Sequence, residues 1–335
     1  MPLTGENRII VKRGLARLSE GGNLGIYALA AISRIDLPLR AQDVAFGLGP
    51  RINAAGRLET AHAALELCLA TDPDSASKLA RELDSVNAVR KERLATALIE
   101  AEAMVSSLPD KCPVIVVGSP DWHMGIVGLV AGRLMERYAR PSFAVALDPT
   151  EAKGSGRSLP GIPILDLLKG SDEHLTKYGG HAAAAGFSLD ASAFPAFRDA
   201  LTTHAAARGL PLAPARSFAI DGILLGKEVT LDSISHLELL EPFGFGNPQP
   251  QFAMLDCQVR RTRIFGRDRT HLGITVSTPD NATVELIAFN KADIHHHFPE
   301  GRPVDCCVTL EKHSWNGTES PQLLLRDIQP HRTQV

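Results

Sequence analysis

The sequence predicts an α/β region followed by an all-β region, and three observations predict it. The stretch from Ala76 to Ser107 contains neither Pro nor Gly and is rich in strong helix formers, so one long helix is expected there. Short apolar runs then alternate with helix-compatible runs between Val114 and Ala207, the pattern of a sheet layered with helices. Beyond a Gly- and Pro-rich stretch from Gly209 to Arg216, read as a linker, the apolar period falls towards two.

The elements follow in order. Ile9, Ile10, Val11, Leu15 and Leu18 can share one helical face, and Gly21-Gly22-Asn23 stops that run. A second helix is expected from Gly25 to Ser33, then a turn from Ile35 to Pro38. Leu79, Leu83, Val86, Leu94 and Leu98 give the long helix an apolar side, while Arg81-Glu82 and Arg90-Lys91-Glu92-Arg93 suggest partial solvation. Strands are expected at Val114–Gly118 and Phe143–Leu147, a turn and strand at Gly154–Leu159, and helices at Ile126–Tyr138, from Ile164, and at Phe194–Ala207. Phe252–Val259, Leu272–Val276, Val284–Phe289, Val304–Leu310 and Gln322–Ile328 are five strand candidates split by turn residues. Such a set suggests a small antiparallel barrel of the OB type.

Composition excludes several classes. The chain has 335 residues, enough for two or three domains, and 44% are hydrophobic, so a packed core is expected. No apolar run approaches the length of a membrane span, and no secretory signal opens the sequence. Cys68, Cys112, Cys257, Cys306 and Cys307 form no C-x-x-C pair and are odd in number, which reads as buried thiols in a reducing cytoplasm. The net charge of −3 means that any nucleic-acid surface must be a local basic patch.

Five segments could carry chemistry. Gly49-Pro50-Arg51-Ile52-Asn53-Ala54-Ala55-Gly56-Arg57-Leu58 sets Arg51, Asn53 and Arg57 among small residues. It reads either as a phosphate-binding loop or as a tight inter-helix turn with solvated arginines. Lys153-Gly154-Ser155-Gly156-Arg157-Ser158 offers glycine N–H groups, the hydroxyls of Ser155 and Ser158, and Arg157 as phosphate donors, though its spacing is not a Walker motif. Gly179-Gly180-His181 before an alanine run places His181 at a bend, either as a phosphate donor or acid–base group or as a histidine satisfied by backbone. Asp121-Trp122-His123-Met124-Gly125 joins a strand to a helix, where α/β ligand sites form; Trp122 also reads as core. Arg260, Arg261, Arg263, Arg267 and Arg269 crowd one expected hairpin around Phe265, a pattern suited to tracking and stacking a DNA strand, and Trp315 lies in a later turn. His295-His296-His297 reads as an exposed turn rather than a metal site, and Asp72-Pro73-Asp74 as a helix cap.

These segments, with Pro2-Leu3-Thr4-Gly5-Glu6-Asn7-Arg8, Gly125-Ile126-Val127-Gly128 and Pro242-Phe243-Gly244-Phe245-Gly246-Asn247-Pro248, resemble in sequence and order the RecJ family of the DHH phosphoesterase superfamily. The resemblance implies a helical connector, a DHHA1-type α/β domain and a C-terminal OB-fold barrel. Residues 1–75 would be the helical end of the metal-binding region with its motif loop, 76–108 the connecting helix, 109–210 the DHHA1 domain and 211–335 the OB domain. It implies a cytoplasmic 5′-to-3′ exonuclease on single-stranded DNA in recombination and repair, using two Mn²⁺ or Mg²⁺ ions. Single-strand-binding protein and a helicase are the implied protein partners. It would set Arg51, Ser155, Arg157 and His181 around the phosphates near the cleavage site, with His181 in a catalytic role. The family carries its Asp-His-His motif upstream of the Pro2–Arg8 segment, where this sequence begins, so the metal ligands are expected to be missing and the chain inactive alone. The competing expectation is a non-catalytic protein that binds single strands or recruits a partner. An RNA-directed editing or phosphatase protein fits the Gly49–Leu58 segment and the barrel less well.

Overall fold

The computed structural model describes residues 1–58, 60–109, 112–210 and 217–331. The end of the expected linker, 211–216, lies outside the described residues. In chain order the main elements are α1 (Gly5–Ser19), α2 (Leu24–Ile32), α3 (Gly49–Leu58), α4 (His62–Leu69), α5 (Pro73–Ser106), β1 (Ile115–Ser119), α6 (Met124–Tyr138), β2 (Ser142–Ala146) and β3 (Ala152–Arg157). There follow α7 (Ile164–Lys169), β4 (Lys177–His181), β5 (Ala184–Leu189), α8 (Phe194–Ala207), β6 (Gly222–Ile223), α9 (Leu231–Glu238), β7 (Phe252–Phe265), β8 (His271–Ser277), β9 (Thr283–Ala288), β10 (Pro303–Trp315) and β11 (Thr318–Pro330).

Two compact units share the chain: Arg17–Leu39 with 43–215, and 1–16 with Arg40–Gln42 and 216–335. In the first, the 34-residue α5 starts at Asp72, whose carboxylate accepts from the N–H groups of Asp74 and Ser75. Small residues on α5 (Ala76, Ala80) and Leu83 are buried, as are Ala54 and Ala55 of α3 and Leu67 of α4. Small side chains let these helices approach closely; a Cβ on Gly25 of α2 would stand 1.8 Å from the Leu67 carbonyl oxygen.

A five-stranded sheet of order β1-β2-β3-β5-β4 follows, with β1 and β2 parallel and the other pairs antiparallel. Alternate residues of β1 and β2 are buried on both faces. Ile115, Val117, Ala144 and Ala146 pack with α5 and α6, while Val116, Phe143 and Val145 pack with α7 and α8. This two-sided burial is why the strand signal in the sequence was a continuous apolar run. The β3–β5–β4 end leaves one face open, and all five residues of the edge strand β4 are exposed.

The second unit is a closed barrel. The strand order β10-β11-β9-β8-β7, closed by β10–β7, with β9 and β11 parallel, is the OB connectivity. Its core includes Cys257, Val259, Ile274, Val276, Leu286, Val304, Val308 and Leu323. β7 runs past the expected end at Val259 to Phe265, with an irregularity between Val259 and Arg261. That bulge lets both Arg260 and Arg261 face solvent. Two family-like segments form one structural piece here. Leu3 N–H donates to the Phe245 carbonyl (2.6 Å), and Arg8 donates to the carbonyls of Leu239, Leu240 and Glu241 beyond the end of α9. A cation at a helix C-terminus satisfies carbonyls the helix leaves open.

Among the described residues, no helix is long and apolar enough to cross a membrane. Four of the five cysteines are buried and all are free; burial pushes the Cys257 thiol up to about 11, which keeps it protonated and inert. His295–His297 form a short 3₁₀ turn with His296 and His297 exposed.

Candidate nucleic-acid interface

The open sheet face in the first unit forms the floor of a cleft of 910 Å³, walled by the end of α3 and the start of α6. Alternation along β3 puts Lys153, Ser155 and Arg157 on the cleft side, half-buried, and Ala152, Gly154 and Gly156 on the buried side. Gly156 therefore faces the core, where a Cβ would meet Ile164 and Phe143, and Ser158 is buried with its hydroxyl donated to the Ile162 carbonyl (2.6 Å). Neither offers the phosphate contact that the sequence suggested, because the strand period turns them inward.

Arg157 lies across the floor, its Nη1 donating to Ser155 Oγ and to the Gly156 carbonyl, both at 2.8 Å. Burial first, and then the charge of Arg57, push its pKa down. Two guanidinium groups are thus held near one another, and among the described residues neither has a carboxylate within ion-pair distance. Such like charges are costly unless an anion joins them. Arg57 donates to the Gly125 carbonyl (3.2 Å); burial first, and then the Arg57 charge, lower the pKa of Arg90, which is held on the Asn87 side-chain oxygen. Arg90 was not singled out in the sequence; the only signal was Asn87 three residues before it, on a helix read as partly solvated.

Helix α6 directs its N-terminus at this cleft. His123 caps it, Nδ1 accepting from the Gly125 N–H (3.0 Å), which leaves the proton of the neutral ring on Nε2. Glycine is required at Gly125, where a Cβ would stand 2.0 Å from the Arg57 carbonyl oxygen, while a Cβ on Gly128 would press on Arg157 Nη2 at 3.0 Å. A helix N-terminus beside two arginines favours an anion. Trp122, by contrast, is 5% exposed and gives its indole N–H to Glu100 (2.7 Å), so it serves the core.

The Gly49–Leu58 segment is a helix, α3, rather than the expected loop. Its small residues serve helix packing, with Ala54 and Ala55 buried. Arg51 does not reach the cleft: it pairs with Asp84 of α5 (2.8 Å) and donates to the Gly47 carbonyl. Asn53 is exposed outside the cleft lining, and only Arg57, at the end of α3, joins it. Gly179 lines the cleft on β4; Gly180 and His181 lie beyond it, His181 exposed and paired with Ala184 at the hairpin. A Cβ on Gly180 would meet the Ala184 carbonyl at 2.3 Å, which explains that glycine structurally.

On the barrel, the β7–β8 hairpin carries the arginine cluster. Arg263 pairs with Glu285 of β9 (2.7 Å), which raises its pKa, and its guanidinium lies 4.7 Å over the Phe265 ring. Phe265, His271 and Phe289 follow edge to face at 5.5 and 5.2 Å. Phe265 and Phe289 border an open groove of 630 Å³ lined also by His313 and Pro321. Arg260 donates to Ser277 Oγ (2.9 Å), while Arg267 and Arg269 sit in the exposed turn between β7 and β8. Trp315, 70% exposed, ends β10 at the other hairpin tip. Phe289 was missed in the sequence because it lies in the turn after β9 and meets the hairpin only through the barrel register, and His271 because its contact with Phe265 is made across the β7–β8 pair.

Residues 111–207 match the DHHA1 domain family and 220–327 the RecJ OB domain family, so the chain is a DHHA1–OB protein. Curated relatives described as single-stranded-DNA-specific exonuclease RecJ match nearly all of it. The Bacillus subtilis protein is 31% identical over 98% of this chain and 42% of its own length. The Thermus thermophilus protein is 35% identical over 94% and 44%. The crystal structure of Thermus thermophilus RecJ with Mg²⁺ superposes with a TM-score of 0.85 at 33% identity, covering 99% of this chain and 50% of that one; a Mn²⁺ complex gives the same score. This chain belongs to the RecJ family and spans about half the length of these relatives. Those structures hold Mg²⁺ or Mn²⁺, but among the residues described here no group of three or more His, Cys, Asp or Glu could hold a metal ion. The described residues therefore do not fit the metal.

Proposed function

We propose that this chain is the strand-holding part of a 5′-to-3′ exonuclease acting on single-stranded DNA, with hydrolysis supplied by a metal centre outside the described residues. The cleft takes the phosphate at the 5′ end, through Arg57, Arg157, Ser155 and the N-terminus of α6, with His123 and His181 near its edges. The barrel guides the following strand through Arg260, Arg261, Arg263, Arg267 and Arg269, with Phe265 as a stacking face. The observation that carries this reading is the pair Arg57–Arg157, two cations sharing one open cleft with no carboxylate partner among the described residues. Phosphate contacts supply most of the affinity of such proteins and make it salt-dependent. A cytoplasmic setting in repair and recombination, with single-strand-binding protein and a helicase as partners, belongs to the same reading.

The test is incubation of the full chain with Mn²⁺ and a 5′-phosphorylated single-stranded oligonucleotide. The expected result is salt-sensitive binding without digestion. Digestion from the 5′ end would reveal a catalytic centre within this chain, and absence of any binding would overturn the reading.

A further inference from the structure

The cleft floor has a regular cross-strand order. In the register of β3, β5 and β4, Lys153 pairs with Ser188 and Ser188 with Lys177; Ser155 pairs with Gly186 and Gly186 with Gly179; Arg157 pairs with Ala184 and Ala184 with His181. Two basic rows therefore flank a row of small residues. Lys153, Lys177 and Ser188 all line the cleft. They lie at the end of the floor away from Arg157, four residues or about 13 Å along β3. No role for this row follows from the family-like motifs considered above.

Glu151, from the β2–β3 connection, bridges the row. One carboxylate oxygen meets Lys153 Nζ at 3.3 Å and the other meets Lys177 Nζ at 3.7 Å. Hydrogen bonding to Lys153 and to the otherwise buried Ser188, with the charge of both lysines, holds its carboxyl below the usual range. The geometry is that of an anion spread across two ammonium groups by two oxygens, as the non-bridging oxygens of a phosphodiester would be. Exposed ion pairs of this kind are individually weak, so an incoming phosphate can displace the carboxylate.

The floor between the rows points the same way. Gly179 and Gly186 face each other across β4 and β5, a Cβ on either meets nothing within 4 Å, and neither has a positive φ. Nothing in the chain's own packing or backbone demands glycine at either position, so bare backbone is presented to whatever lies in the cleft.

We propose that Lys153, Lys177 and Ser188 form a second phosphate subsite, separate from the Arg57–Arg157 site, which Glu151 occupies in the free protein as an internal substitute for the phosphodiester. This rests on the strand-holding role of the cleft and deepens it: the ligand is a backbone phosphate downstream of the one at Arg157, with the intervening backbone over Gly179 and Gly186. A separation of about 13 Å is two linkages of a stretched strand, against about four at the B-form rise of 3.4 Å per nucleotide. The subsite would thus hold the strand extended and unstacked.

The experiment measures affinity of the full chain for a 5′-phosphorylated oligothymidylate at several salt concentrations. Lys153→Ala with Lys177→Ala is expected to weaken binding about tenfold and lower the salt slope by about one, as the loss of one to two phosphate contacts requires. The Lys→Arg pair restores binding, which separates charge from folding. Glu151→Gln is expected to tighten binding about threefold, since the competing anion is gone. A scan with single neutral methylphosphonate linkages should find one position whose neutralisation harms the natural chain but not the double-lysine variant. Weaker or unchanged binding by Glu151→Gln would show the triad to be a structural brace and overturn the proposal. Silent lysine variants alongside a damaging Arg157→Ala would overturn it while leaving the strand-holding role intact; no strand binding by the natural chain would remove both.

Discussion

The cleft and the barrel groove both gather arginines, yet they hold them differently. In the cleft, Arg57 and Arg157 stand together without a carboxylate partner among the described residues, on a floor of glycines and beside a helix N-terminus. In the groove, Arg263 is neutralised by Glu285 and laid flat over Phe265, at the head of the Phe265–His271–Phe289 series. The first arrangement is a fixed demand for concentrated negative charge. The second is a stacking surface with modest net charge, suited to passing contact with successive bases. The difference teaches that counting arginines does not tell grip from guide; the partners of each guanidinium do.

The comparison can be broken or sharpened by five substitutions. The largest effect is expected from Ile274→Ala, which opens a cavity in the fully buried barrel core and should cost about 2–5 kcal/mol in denaturant unfolding. It should leave any preference for a 5′-phosphate unchanged, and loss of that preference would mean that the barrel, too, reads the end. Phe265→Ala and Phe289→Ala should each weaken single-strand binding by about 1–3 kcal/mol without altering its salt slope, the signature of stacking. A changed slope would assign the groove to phosphate instead. Arg51→Ala should lower stability by about 1 kcal/mol through its half-buried pair with Asp84, with strand affinity untouched. A drop in affinity at constant stability would return Arg51 to the DNA.

The smallest effect concerns the end of β11. His331 Nδ1 lies 2.7 Å from Asp305, and this hydrogen bond raises the histidine's pKa. A raised folded value means that the pair's contribution is fully present below the unfolded value of about 6.5 and fades as pH rises through the higher folded one. His331→Gln should therefore flatten the stability profile across that window. A profile with the same slope would place the titrating group elsewhere.

Much of the architecture was legible in the sequence because it rests on local rules. The proline- and glycine-free run became α5, the two-sided apolar runs became β1 and β2, and period-two segments became the barrel strands. The Asp72 cap follows from local spacing alone. The site was less legible. Gly49–Leu58 looked like a loop because Gly49, Pro50 and Gly56 are turn-formers locally, yet the segment is a helix whose buried Ala54 and Ala55 both favour that conformation and allow close packing. Gly156 and Ser158 sat inside the right motif, but strand alternation turned them into the core, while Lys153, Ser155 and Arg157 line the cleft. Arg90, Phe289 and Lys177 escaped notice because each reaches its surface through long-range packing or register rather than through a neighbour in sequence.

The account's central claim is that the cleft reads the strand end and the barrel does not. Its most direct test is the ratio of affinities for one oligonucleotide with and without a 5′-phosphate. The ratio is compared in the natural chain, in Arg157→Ala and in the double variant Arg261→Ala with Arg263→Ala. The prediction is that Arg157→Ala brings the ratio to one, while the double variant weakens both strands alike and lowers the salt slope. Equal loss for both strands in Arg157→Ala, or a ratio changed by the barrel variant, would contradict it.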